Sequence, residues 1–236
     1  MHWSLILLGF IAGIFSGAVG FGGGMIILPI ITYFYGVEVA VPISTIAQLM
    51  SNLSKVGMGF KEIKWKQVGM FLILAAPFTA LGALGFAKVD KQLMTKILCV
   101  FLIIFAILKL TGKFKLPQKR GTMLIGGGIT GLINGLLGIS GPLSSAVFLT
   151  LELAPVAYIA SEAAAASAMH IIKTIVYGKL NLMNGNIFLV GLCIGAAMII
   201  GNYIALKTIK KVKNKLYQRI VVVVMIGVSI WLFFSV

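Results

Sequence analysis

The sequence predicts an all-α, polytopic membrane protein. Its composition is 60% hydrophobic and 11% charged, with a mean hydropathy of +1.09, far from a soluble domain. Its apolar residues form long continuous runs, unlike the short alternating segments of a membrane β-barrel. Helices suit such runs because a lipid-embedded backbone must satisfy its own polar groups. A glycine-interrupted stretch also occurs twice at corresponding places, so the predicted class is two repeats forming one membrane domain.

Eight apolar segments follow in order, at about 4–35, 39–60, 67–87, 93–111, 122–151, 155–177, 186–206 and 217–235. Polar connectors such as "KEIKWKQ", "KFKLPQKRG" and "KTIKKVKNKLYQR" separate them. Most segments are near the ~20 residues a spanning helix needs. The first and fifth are longer, about 30 residues each, and each is interrupted by glycines, "GAVGFGGGM" at 17–25 and "GLLGISGP" at 135–142.

At a shift of 118, Gly9, Gly13, Gly17, Gly20 and Gly23 fall on Gly127, Gly131, Gly135, Gly138 and Gly141. Lys55 then meets Lys173, and Lys61 meets Lys179. The expected halves are 1–115 and 120–236, together forming one integral membrane domain. The glycines at four-residue spacing also suit close helix packing.

Charge decides between two topologies. If each long segment crosses once, there are eight plain spans in two parallel repeats, and the connectors divide Lys and Arg eleven against nine. If each long segment enters, breaks and returns, each half has three spans plus a re-entrant hairpin, and the halves are inverted. Connectors 55–66, 109–120 and 207–219 then share a side, and the division is fifteen against five. The positive-inside rule favours the second arrangement, with the basic side cytoplasmic and both termini outside. Trp3 and Trp231 would sit at the outer interface, where Trp is common.

The net charge of +15 lies mainly in these connectors. It is a topology signal and not the footprint of a nucleic-acid binder. Cys99 and Cys193 stand alone in apolar runs, without metal or redox spacing. No metal or cofactor is expected, and no ATP-binding signature is present. The N-terminus lacks the basic region of a cleaved signal peptide.

At each break a half-helix begins anew, around Gly22, Gly23 and Gly24 and around Ser140, Gly141 and Pro142. A helix start has unpaired N–H groups and a positive dipole end. Pro142 suits a first helical turn. Two such starts near the midplane would make a site for a small anion; a packing kink is the alternative.

The second segment of each half is polar for its depth. In "PISTIAQLMSNLSK", residues 42–55, Ser44, Thr45, Gln48, Ser51, Asn52 and Lys55 lie close to one helical face. In "ASEAAAASAMHIIK", residues 160–173, Glu162, His170 and Lys173 share a sector. Polar groups inside a membrane face the protein interior, so both helices should line a cavity. Lys55 and Lys173 would attract an anion, or snorkel to the interface. Glu162 and His170 are candidates for proton coupling, or Glu162 merely neutralises His170 or Lys173.

The opening "SGAVGFGGGMIILPIIT", its echo "GLINGLLGISGP" and the polar second helix of each half resemble the TauE/SafE sulfite exporter family over nearly the whole chain. The resemblance implies a bacterial or archaeal inner-membrane transporter of sulfite, sulfonates or related anions. It carries over Gly20, Gly22, Gly23, Gly24, Ser44, Thr45, Asn52, Gly138, Gly141 and Pro142. The sixth segment departs from the pattern, with Glu162, Ala163 and His170 where a Thr-Ser pair and an Asn are expected.

The expected function is secondary transport of a small anion through a midplane site between the repeats. Gly22, Gly23, Gly24, Ser140, Gly141 and Pro142 would bind through the backbone. Ser44, Thr45, Gln48, Asn52, Lys55, His170 and Lys173 would complete the site. No catalytic residue is expected, because no paired carboxylate, H-E-x-x-H or nucleophile–base arrangement stands out. A passive anion channel and a membrane-embedded enzyme are the rivals. The expected partners are the small anionic substrate and the lipid bilayer; the oligomeric state is open, a homodimer being one option.

Overall fold

The computed structural model describes residues 3–19, 23–111 and 117–208, and positions 226, 227, 230, 233 and 234 near the C-terminus. The described residues include α1 (Trp3–Val19), α2 (Gly23–Met58), α3 (Trp65–Lys88), α4 (Lys91–Thr111), α5 (Arg120–Leu137), α6 (Gly141–Leu149), α7 (Pro155–Lys179) and α8 (Gly185–Thr208). A short 3-10 turn covers Phe60–Glu62, and no strand occurs among these residues. The all-α, polytopic expectation is met. In α2, α3, α7 and Gly185–Ala205 of α8, the described residues contain four helices long and apolar enough to cross a membrane. Gly20, Gly22, Trp231 and most of the segment 217–235 lie outside the described residues.

The breaks fall where the glycines are. Helix α5 ends at Gly138, whose φ of 77° is left-handed and whose N–H donates to the Asn134 carbonyl at 2.9 Å. Glycine takes that conformation without a Cβ penalty, so it caps the helix. Helix α6 starts three residues later with a proline in its first turn. It then doubles back, because a side chain on Gly126 would run into Val147. A continuous helix would hold those residues about 30 Å apart at 1.5 Å per residue. The start of α2 also returns along α1, with Gly23 beside Ser16 and the Ala12 carbonyl.

One boundary differs from the sequence reading. The sequence separates segments 4–35 and 39–60, but the second arm of the first and nearly all of the second join in α2, 36 residues long. The joint is a kink at Gly36, with φ 72° and ψ 159°. A single residue turns the chain there, so helical hydrogen bonding resumes at once. In the second half the corresponding turn spans several residues, with Glu152 at φ 50° before Pro155 opens α7.

Glycine stripes set the helix pairs. Gly9, Gly13 and Gly17 of α1 lie against Ile194, Met198 and Asn202 of α8. Gly127, Gly131 and Gly135 of α5 lie against Phe71, Ala75 and Thr79 of α3. Small residues let backbones meet and dispersion contacts accumulate, which drives helix association in lipid. The end of α2 meets the start of α7, where a side chain on Gly59 would touch Ala160 and Val156. Those two helices therefore run in opposite directions. At the other end Phe86 of α3 stacks on Tyr177 of α7, ring centroids 5.4 Å apart.

Candidate functional site

A polar cavity lined by buried side chains lies where the two breaks approach each other. The start of α2 contributes Gly23 and Gly24, and the start of α6 contributes Ser140 and Gly141. The polar face of α2 adds Gln48, Ser51, Asn52 and Lys55, four residues within about two helical turns. Glu162 and Ala166 of α7 form the opposite wall, with Ser16 of α1 and Met198 of α8 completing the enclosure. The cavity has about 20 Å³ of room for the centre of a water-sized sphere, space for about one water.

Hydrogen bonds fix these side chains. Gln48 Nε2 donates to Ser44 Oγ at 2.7 Å and to the Gly138 carbonyl at 3.3 Å, tying α2 to the second break. Any side chain at Gly24 would collide with the Gln48 amide, so glycine permits this approach. Lys55 Nζ donates to Ser16 Oγ at 3.0 Å. Ser144 Oγ donates to Glu162 Oε1 at 2.5 Å, whereas Glu162 Oε2 is buried without a hydrogen-bond partner. Lys55 and Glu162 are within Coulombic reach of each other, so the chamber holds one side chain of each charge type.

Of the residues expected at the site, Gly23, Gly24, Gln48, Asn52, Lys55, Ser140, Gly141 and Glu162 come together here. Ser44 stands one step behind, holding Gln48. Thr45 is outside the lining, its hydroxyl bonded to the Val41 carbonyl of its own helix. Pro142 occupies the first turn of α6, and Gly22 lies outside the described residues.

His170 and Lys173 do not line this cavity. Lys173 Nζ donates to the Asn134 carbonyl at 3.4 Å, and Tyr177 donates to the Gly135 carbonyl at 2.9 Å. Both ring nitrogens of His170 are buried without a hydrogen-bond partner, as are the Asn134 side-chain amide and the Thr130 hydroxyl.

The expected residue set omits Ser16 and Asn202. Asn202 Nδ2 donates to the carbonyl and hydroxyl of Ser51 and to Ser54 Oγ at 2.9 to 3.0 Å, holding the polar face of α2. A signal for Ser16 was present, since the shift of 118 that pairs Lys55 with Lys173 also pairs Ser16 with Asn134. Each lysine contacts the member of that pair in its own half. No cluster of three or more metal-ligating side chains occurs among the described residues.

A second cavity, of about 260 Å³, adjoins the first. Met58, Gly59, Val156, Ile159, Tyr203 and Lys207 surround it, and Lys55 belongs to the walls of both cavities.

Interrupted helices around a buried polar chamber, inside an apolar helical bundle, define a polytopic membrane protein. The chain belongs to the sulfite exporter TauE/SafE family, which it matches over residues 5–232. A curated relative from Methanocaldococcus jannaschii, called a probable membrane transporter protein, is 27% identical over 169 residues. That stretch covers 64% of this chain and 62% of the relative, so less than two thirds of the relative's length is matched. No solved structure matches the chain.

Proposed function

We propose that the protein is a secondary transporter of small anions, foremost sulfite or a sulfonate, with its site in the polar cavity. One observation carries this reading: two helix starts, at Gly23–Gly24 and Ser140–Gly141, share a chamber with Lys55. Helix starts stabilise negative charge through unpaired N–H groups and the dipole. Gln48 and Asn52 offer neutral donors beside them. The family supports sulfite as the first anion to test, and the relative's name supports transport.

The halves 1–115 and 120–236 act in this reading as inverted repeats in a bacterial or archaeal cell membrane, with both termini outside. The opposed directions of α2 and α7 support it, as does the meeting of the ends of α3 and α7. Parallel repeats would put the ends of α3 and α7 on opposite faces. A chamber with room for one water favours an occluded transporter over an open channel, because a larger anion enters only when the helices part.

Glu162 gives this chamber a means of coupling. A bound anion and an ionised carboxylate repel each other, so anion binding and protonation at Glu162 are linked. His170, in the adjoining polar cluster, is the second candidate for carrying the proton.

Purified protein warmed with sulfite, sulfoacetate, sulfate or simple carboxylates tests the reading. Sulfite or sulfoacetate should raise the melting temperature most, and the same anion should cross proteoliposome membranes. If none of these anions shifts melting or crosses, the assignment fails. Glu162→Gln is expected to abolish flux driven by a pH gradient while keeping the anion-induced melting shift; equal responses to the gradient in mutant and wild type would remove Glu162 from coupling. Gly24→Ala is expected to fold normally, since the obstructing atoms are the far end of Gln48. It should still lower flux about tenfold, equivalent to ~1.4 kcal/mol, read beside its melting temperature.

A further inference from the structure

The second cavity lies beside the polar chamber and shares Lys55 with it. Its walls are mostly apolar, yet two lysines are among them. Lys55 is 2% exposed and shared with the polar chamber. Lys207 is exposed in the last turn of α8, its Nζ 4.3 Å from the centre of the Tyr203 ring. That contact holds the ammonium over an aromatic face. Tyr203 and Val156 are about half exposed, which leaves this cavity accessible from outside the bundle.

The position is informative too. Lys207 opens the basic connector 207–219, and Lys55 and Gly59 begin the basic connector 55–66. Both therefore flank one cavity at one end of the bundle. A cleft with low-dielectric walls and charges of one sign focuses its field and raises the local concentration of counter-ions.

We propose that this cavity is an entry vestibule for the transported anion on the basic face. Lys207, positioned by Tyr203, draws the anion in; Lys55, common to both walls, passes it to the polar chamber. The proposal rests on the anion-transport reading above. It adds a second binding position and a direction of approach.

The test uses the full chain in proteoliposomes, with Cys99 and Cys193 replaced by serine and Val156→Cys added as a reporter in the vestibule wall. An anionic and a cationic thiol reagent of like size are applied to the face bearing connector 55–66. The anionic reagent should react faster, and Lys207→Gln should lower the ratio of the two rates about fivefold, within the range of electrostatic focusing. Lys207→Arg should keep the ratio, and high salt should lower it in the parent. In parallel, Lys207→Gln should raise the KM for labelled sulfite about fivefold, more than it lowers kcat. A reagent ratio indifferent to Lys207 overturns the vestibule, whatever the flux. No sulfite flux in the parent, with the ratio still dependent on Lys207, removes sulfite as substrate and leaves the vestibule standing.

Discussion

Lys55→Ala is expected to lower sulfite flux in proteoliposomes by about a hundredfold, with a much smaller fall for Lys173→Ala. The two lysines are paired by the repeat and both are buried, so burial alone does not separate them. Their surroundings do. Lys55 lines the chamber and the vestibule, and its ammonium is held by the Ser16 hydroxyl. Lys173 lines neither, and its ammonium meets the Asn134 carbonyl. A charge-assisted hydrogen bond to a ligand contributes about 1.5–3 kcal/mol, or roughly 10- to 100-fold in affinity. Removing Lys55 deletes both that bond and the positive charge facing Glu162, which puts the loss at the upper end. Lys173→Ala leaves a gap between α5 and α7 and takes a donor from the Asn134 carbonyl, so its cost should appear in melting temperature before flux. Flux and melting measured on both variants decide the matter. Equal flux losses at unequal stability would show that the chamber does not distinguish the two halves.

The helical class was legible because lipid-length apolar runs leave the backbone few alternatives. The breaks were legible for a related reason: glycine is costly inside a helix, so clustered glycines mark a place where the helix stops. At Gly138 the left-handed turn bears this out. Gly36 was harder to read. A lone glycine between two apolar runs fits a loop or a kink equally well, and the structure makes it a one-residue kink with φ 72°. Gln48, Asn52, Lys55 and Glu162 stood out as polar groups where lipid would penalise them, and they do share one chamber.

His170 shares their helical sector but is not among the residues that line the cavity. Helical angle fixes which face a residue occupies but not its height. His170 is eight residues from Glu162, about 12 Å along the axis. It therefore sits beyond the chamber although it points to a similar side. Ser16 and Asn202 were missed for the opposite reason. They lie on helices whose close packing uses small residues, so a short polar side chain looks like one more spacer. Ser16 had only the repeat pairing with Asn134 to mark it, and the role of Asn202 depends on which helix crosses which, which comes from tertiary structure.

The crossing of α3 and α5 yields the other large effect. Gly131→Ala is expected to lower the melting temperature by roughly 10 °C, whereas Gly69→Ala should cause no loss. Both changes add the same methyl group to a helix. At Gly131 the new carbon would strike the Ala75 carbonyl oxygen and lie 2.9 Å from Ala75 Cα, all of it backbone. No side chain can move aside there, so the helices themselves must separate. Overpacking of this kind costs about 1–3 kcal/mol, sometimes more. For a chain of this size each kcal/mol shifts melting by about 2–4 °C. At Gly69, near the start of α3, nothing lies within 4 Å of the added carbon, and alanine's better helix propensity is then free to act. Thermal unfolding of the two purified variants, followed by loss of the monodisperse species, checks the pair. Should Gly131→Ala melt with the wild type, the backbones of α3 and α5 are not in contact. The second break would then lack the seam that holds Ser140 and Gly141 against the chamber.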